Sequence, residues 1–433
     1  MDKIRFFRNL IQNFFGQFTA PSLLLFQKIF EGWLLCPGTR YVTSMAYFGD
    51  PKGEHAHDAF HRFFREAKWS LKRVFFTLTR LLVSSLGLKR LKVGGDDSVH
   101  KKTGRKVEGA KRCRDAVRST KNKVVICWGL QVVLLFLIIQ TPWEGGEPLA
   151  LPIGIRLYRK RVNDQGPTLL DLMWDMLLVL CRMFPDLKID FVTDGYYASL
   201  AGRERPDNLT ITSRMRLDAA LFEFPVASTG KKVGRPRVKG ERIPSPKEMV
   251  QVESGWREVA TLERRKKRTR LVITRKVMWK LAKKWTRLLL VISRDPLGKE
   301  HDDFFFTTDL EADPASVISD YANRWTVEET FRNTKQNLGV EEPQSWKDKG
   351  PERVAGMGYV CYSLTWLWFI KCGDYRPQII SPWYPKKILP SFADAIALFR
   401  REIFRRRFMQ GMDRDPQATK FMEACIECLA RVA

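Results

Sequence analysis

Apolar residues recur at helical spacing in 10–18, 23–35 and 60–86, so the first ninety residues predict a mostly helical module. Residues 91–95 then read as a strand that ends in Asp96, Asp97 and Ser98, with a basic turn at 100–106. Two further strands, 132–140 and 149–158, flank a turn-rich connection containing Pro142, Gly145, Gly146 and Pro148. An apolar helix is expected over 168–184, and a strand over 189–193 that stops at Asp194. Between 220 and 312 the pattern turns to alternating, strand-like runs: 249–252, 256–262, 269–274, 288–293 and 304–308. Residues 313–339 then predict one long helix. Asp313 is a good N-cap, Pro314 suits the first helical position, and Gly339 suits the left-handed residue that ends it. An apolar core helix at 360–369 follows, and then a tail with Pro-rich loops and a helix bearing Arg400, Arg401, Arg405, Arg406 and Arg407.

The expected architecture is α/β in five parts. They are an N-terminal helical domain (1–90), a core in two pieces (91–219 and 313–375) split by a β-rich insertion (220–312), and a basic helical tail (376–433).

Charge narrows the partner. The chain has 75 Lys and Arg against 48 Asp and Glu, a net +27. Such an excess favours a polyanion, nucleic acid first. The basic residues Lys68, Lys72, Arg73, Arg80, Lys89 and Arg90 interleave with the apolar ones in the opening module, which suits a duplex-binding surface. The most membrane-like run, 124–139, contains Gly129 and Gln131 and is rich in Val and Ile, so buried strands are expected and no membrane span. Eight scattered cysteines, mostly in apolar runs, suit a reducing cytoplasm.

The candidate chemistry sits on the 313–339 helix. Tyr321, Arg324, Glu328 and Lys335 are offset by three, seven and fourteen residues from the tyrosine. At helical geometry they share roughly 60° of arc and about 21 Å of axis. One carboxylate is thus flanked by two cations and a phenol, beside an apolar stripe of Val327, Phe331 and Leu338. The spacing Tyr-x2-Arg-x3-Glu-x6-Lys resembles the signature helix of bacterial insertion-sequence DDE transposases, and Trp325, Phe331 and Gly339 are similar too.

That resemblance implies an RNase H-like core, a mixed sheet flanked by helices, and two further acids at adjacent strand ends. Asp96-Asp97-Ser98 matches the form of the first acid, with Asp96 preferred and Asp97 in reserve, although Gly94-Gly95 stand where the family has apolar residues. Asp194-Gly-Tyr-Tyr resembles the second, and Ser213-Arg-Met-Arg resembles the next strand. By the resemblance, Asp96, Asp194 and Glu328 are the catalytic acids and hold two Mg2+ ions, for which Mn2+ can substitute. Tyr321, Arg324 and Lys335 contact the DNA backbone.

Arg235 and Arg237, in a Gly-Arg-Pro-Arg segment, are candidate minor-groove residues. Implied partners are double-stranded transposon ends and target DNA, bound by a homodimer at the nucleoid of a bacterial cytoplasm. The expected activity is cut-and-paste transposition. The alternatives are another RNase H-like nuclease, or a decayed or domesticated transposase that only binds DNA.

Overall fold

A computed structural model of the chain describes residues 2–159, 165–225, 237–380, 383–409 and 416–431. It opens with five helices: α1 (Lys3–Gln12), α2 (Ala20–Leu35), α3 (Val42–Gly49), α4 (His57–Arg65) and α5 (Leu71–Leu86). Local signals set their ends. Asp2 accepts from the amides of Ile4 and Arg5 and caps α1, while Ser70 caps α5 and Gly87 at φ +64° stops it. The apolar run 60–86 is therefore two helices.

The strands β1 (Arg90–Lys101), β2 (Lys111–Arg114), β3 (Ile126–Ile139) and β4 (Leu149–Tyr158) come next, followed by α6 (Leu169–Met183), β5 (Lys188–Thr193) and β6 (Leu209–Arg214). β1 runs past Asp96 to Lys101, because β3 pairs with it along its whole outer half, as far as Lys101 opposite Gly129. The polar stretch 96–101, by its sequence a strand end and turn, is extended because a partner strand supplies its backbone hydrogen bonds. The membrane-like run is the buried strand β3, and among the described residues no helix is long and apolar enough to cross a membrane.

The central sheet has the order β4-β3-β1-β5-β6, with β2 also paired to β3; β3 is antiparallel to all three partners, and β1, β5 and β6 are mutually parallel. With helices on both faces, it is the mixed α/β core of an RNase H-like fold.

The 220–312 segment carries β7 (Leu221–Phe222), β8 (Arg242–Ile243), α7 (Pro246–Val252), β9 (Arg257–Glu263), β10 (Lys266–Leu281), β11 (Lys284–Arg294) and β12 (Asp303–Thr307). Residues 249–252 are helical, not extended: Ser245 and Glu248 form a reciprocal capping box with Pro246 at the first turn. These strands join the same sheet, since β12 pairs with β6 and continues it through β11, β10, β7 and β8.

The C-terminal half contains α8 (Pro314–Asn323), α9 (Thr326–Gln336), α10 (Gly350–Cys372), α11 (Phe392–Met409) and α12 (Pro416–Arg431). α10 is buried over nearly its full length. The opening helices bond directly to this half. The Trp33 indole donates to the Leu338 carbonyl at 2.6 Å, Trp368 donates to Lys3 at 2.9 Å, and Arg353 donates to the carbonyls of Phe64 and Trp69. One hydrophobic cluster runs from Ile4 to Ile426.

Candidate active site

Two of the three acids meet by strand register. β1 and β5 are parallel, and Gly95 lies opposite Thr193. The next residues are Asp96 and Asp194, side by side at the carboxyl end of β5, where ligands of open α/β sheets bind. The backbone shapes the second acid's loop. Asp194 Oδ1 accepts from the amides of Tyr196 (3.1 Å) and Tyr197 (3.4 Å), and the Asp194 carbonyl accepts from the Ser213 hydroxyl at 2.8 Å.

The third acid comes from α9. The 313–339 stretch is two helices, because the chain tightens at Arg324-Trp325. There Trp325, Val327 and Glu328 donate three residues back, to Ala322, Arg324 and Trp325. Gly339 does take a left-handed conformation, φ +53°, beyond the end of α9. The tight turn leaves Arg324 in the interior, 9% exposed. Its guanidinium is 3.6 Å from Asp96 and 3.6 Å from Glu328. Asp96, Asp194, Glu328 and Arg324 thus form one cluster.

Gly94 and Gly95 explain how α9 comes so close. A Cβ on Gly94 would sit 3.0 Å from Val327 Cγ2, the neighbour of Glu328. A Cβ on Gly95, on the opposite face, would sit 2.6 Å from Met173 of α6 and 2.7 Å from Phe191. The glycines let helices close on both faces of β1 next to the first acid.

Side-chain alternation separates Asp96 from Asp97. Asp97 points to the other face, accepting from Gln131 at 2.8 Å and from the Tyr197 hydroxyl at 3.2 Å. Tyr197 thereby ties the Asp194 loop to β1.

Burial, then the Asp194 charge, raise the Asp96 carboxyl to about 7, with Arg324 opposing. The donor chemistry suits a hard divalent cation: three carboxylates from separate elements, one of them raised to about 7 chiefly by burial. The three groups' oxygens are not all within 4.8 Å of one another, and Arg324 stands between two of them. Asp50, Glu54 and His55 are more tightly gathered, but there the Lys28 ammonium already sits 2.7 Å from Asp50 and 2.8 Å from Glu54.

The other expected site residues are placed as follows. Tyr321 packs on Phe305 with ring centroids 4.8 Å apart, and Arg324 and Arg214 lie over its ring at 5.6 and 5.3 Å. Lys335 is turned towards the protein, 3.1 Å from the Val99 carbonyl and 3.0 Å from Glu341. Arg237 is exposed beside Glu241, just before β8 at the far end of the sheet from β1. Arg235 lies outside the described residues.

The sequence reading gave no role to Arg214, Arg264, Arg270 or Trp325. All four line a 320 Å³ cleft with Tyr321 and Arg324. Arg264 lies 5.2 Å from the Trp325 ring, from a β9–β10 turn in which Arg264 and Arg265 both have positive φ. The basic run 264–270 was the available signal; its tight turn was hidden because neither residue is Gly or Asn.

The family model described as DDE superfamily endonuclease matches residues 13–278, more than half of the chain. The match includes Asp96 and Asp194 and stops short of Glu328. No curated protein matches the chain.

Proposed function

The chain belongs to the DDE superfamily of endonucleases, and on that premise we propose that it is the transposase of a bacterial insertion sequence, cutting DNA at the element's ends and joining them to target DNA. The observation that carries this reading is the shared position of Arg324, in contact with both Asp96 and Glu328 where β1 and β5 bring Asp96 beside Asp194.

Asp96, Asp194 and Glu328 would hold two Mg2+ ions, or Mn2+ in their place. Ions so held activate an attacking water or 3′-OH and steady the leaving oxygen. The remaining work is positioning, since phosphoryl transfer asks little covalent chemistry of the protein. Two hydrogen-bonding atoms of Arg324, Nε and Nη1, are buried without a hydrogen-bond partner. A phosphate oxygen of the substrate satisfies them. Tyr321 holds that guanidinium from beneath, and Lys335 adds a point charge near Val99. Lys68, Lys72, Arg73, Arg80 and Lys89 are exposed on or beside α5 and supply a surface for the duplex. Arg235 and Arg237 remain candidates for the minor groove. Two element ends call for two protomers, so the active form is a dimer on DNA, working at the nucleoid in the cytoplasm.

The test is strand cleavage of a duplex carrying the inverted repeat that flanks the coding region, with Mg2+. Asp194→Asn is expected to abolish cutting and leave gel-shift binding within about twofold, since it removes a metal ligand and no DNA contact. Wild-type protein that binds the repeat but never nicks it would refute the enzyme reading.

A further inference from the structure

The β2–β3 ribbon holds an unusual concentration of charge. Residues 101–123 contain ten Lys or Arg and two acids, Glu108 and Asp115. Both acids are engaged: Glu108 pairs with Arg159, and Asp115 pairs with Lys101 and Arg118. Among the described residues, Arg105, Lys106, Arg112, Arg114, Lys121 and Lys123 have no acidic partner, and all six are exposed. A ribbon that needed charge only for solubility would carry both signs interspersed.

Register places two of these arginines on the face of the sheet that carries Asp96. Asp96 lies opposite Leu134 of β3, and alternate β3 positions from there lead to Trp128 and Ile126. Trp128 lies opposite Arg112, and Ile126 opposite Arg114. Directly paired residues share a face, so Asp96, Arg112 and Arg114 project the same way. Arg105 joins them: the Trp128 indole donates to the Gly104 carbonyl at 3.0 Å and holds that loop against the ribbon. Thr103, Arg105, Arg112, Ile126, Cys127 and Trp128 line an open recess of 510 Å³. Ile126 is 55% exposed there, an apolar side chain left open to solvent among the described residues.

The spacing fits a duplex. Five steps along β1 lead from Asp96 to Lys101, and three more ladder steps reach Arg114. At about 3.3 Å per residue these are roughly 17 and 26 Å from Asp96 along the strand direction. At about 3.4 Å per base pair, that is roughly five to eight base pairs.

We propose that this ribbon is a second DNA contact, in which Arg105, Arg112 and Arg114 grip the backbone of the duplex being cut, about five to eight base pairs from the scissile phosphate. The inference rests on the DNA-cutting reading but concerns a surface outside the acid cluster.

The test is the full-length Arg105→Gln/Arg112→Gln/Arg114→Gln protein bound to the inverted-repeat duplex without divalent ion. Loss of three phosphate contacts lowers the slope of log affinity against log salt by about 2.7. Hydroxyl-radical protection is expected to vanish about five to eight base pairs from the wild-type cut and to persist elsewhere. Because the three side chains are exposed and unpaired, the melting temperature stays at the wild-type value. Lys283→Gln, in the β10–β11 turn, serves as the control and leaves slope and footprint intact. An unchanged slope in the triple variant, or a uniform fading of the whole footprint, overturns the proposal. The slope is read whether or not the wild type cuts, so failure of the cleavage reading shows separately, as an absence of nicked strand.

Discussion

Asp96 carries the sharpest residue-scale consequence. An ordinary aspartate ionises near 3.8, and this one is held up to about 7 by burial and by Asp194. Between those values the folded chain keeps a proton that the unfolded chain has lost. Its contribution therefore makes the metal-free fold less stable as pH rises from about 4 to about 7, with no further change above. A divalent ion held by Asp96, as proposed, would have to displace that proton, so its affinity would rise with pH until about 7 and then level off. Calorimetric titration with Mn2+ is expected to show about a tenfold rise per unit below 7 if one proton is released. In Asp96→Asn the residual binding should lose this dependence. A wild-type affinity that is flat between about pH 5 and 7 would contradict the coupling.

At the scale of elements, the glycine pair beside Asp96 decides how closely the helices approach. Gly95→Ala pushes a methyl into Met173 and Phe191 and should cost about 1–3 kcal/mol of stability, read as a lowered melting temperature. Gly94→Ala presses on Val327, so it should move α9 and cut activity more than it cuts stability. Equal, small effects on both readouts in both variants would refute this division. These contacts also show what could be read in advance. The Tyr321, Arg324 and Glu328 spacing placed three side chains at one site, and Asp194 was legible as the end of a Val- and Phe-containing strand. Gly94-Gly95 was legible only as a departure, because its reason lies in contacts with Met173 and Val327, 78 and 233 residues away. The break at Arg324-Trp325 was invisible, since neither residue disfavours helix; its effect, Arg324 set against two acids, exists only in the folded chain. Residues 249–252 were a different failure. The Ser245-Pro246-x-Glu248 start signal was present, and the short apolar run outweighed it.

For the whole molecule, the question is whether the opening helices fold by themselves. Their basic residues suggest a separate DNA-binding unit, yet their apolar faces do not close on one another alone. Phe7 packs against Phe399 at 4.9 Å as well as Phe30 at 4.8 Å, and Gly356 of α10 lies where a Cβ would strike Leu71. Trp33, Trp368, Arg353 and Arg400 each send a hydrogen bond between the two ends of the chain. Removing residues 1–90 would expose the buried length of α10 and leave Arg353 and Arg400 without the carbonyls of Phe64 and Leu34. A buried cation such as Arg353 that loses its hydrogen bonds costs several kcal/mol, and several large aromatic contacts would go with it. The 91–433 fragment is therefore expected to be insoluble or molten, with no sharp near-ultraviolet dichroism. The intact chain should melt in a single calorimetric transition, its directly measured and van't Hoff enthalpies agreeing. Two resolved transitions, or a fragment with native-like dichroism, would mean that the opening helices are an independent unit after all. The DNA contacts proposed on α5 would then be free to move relative to the acids; in one cooperative body they would keep a fixed distance from them.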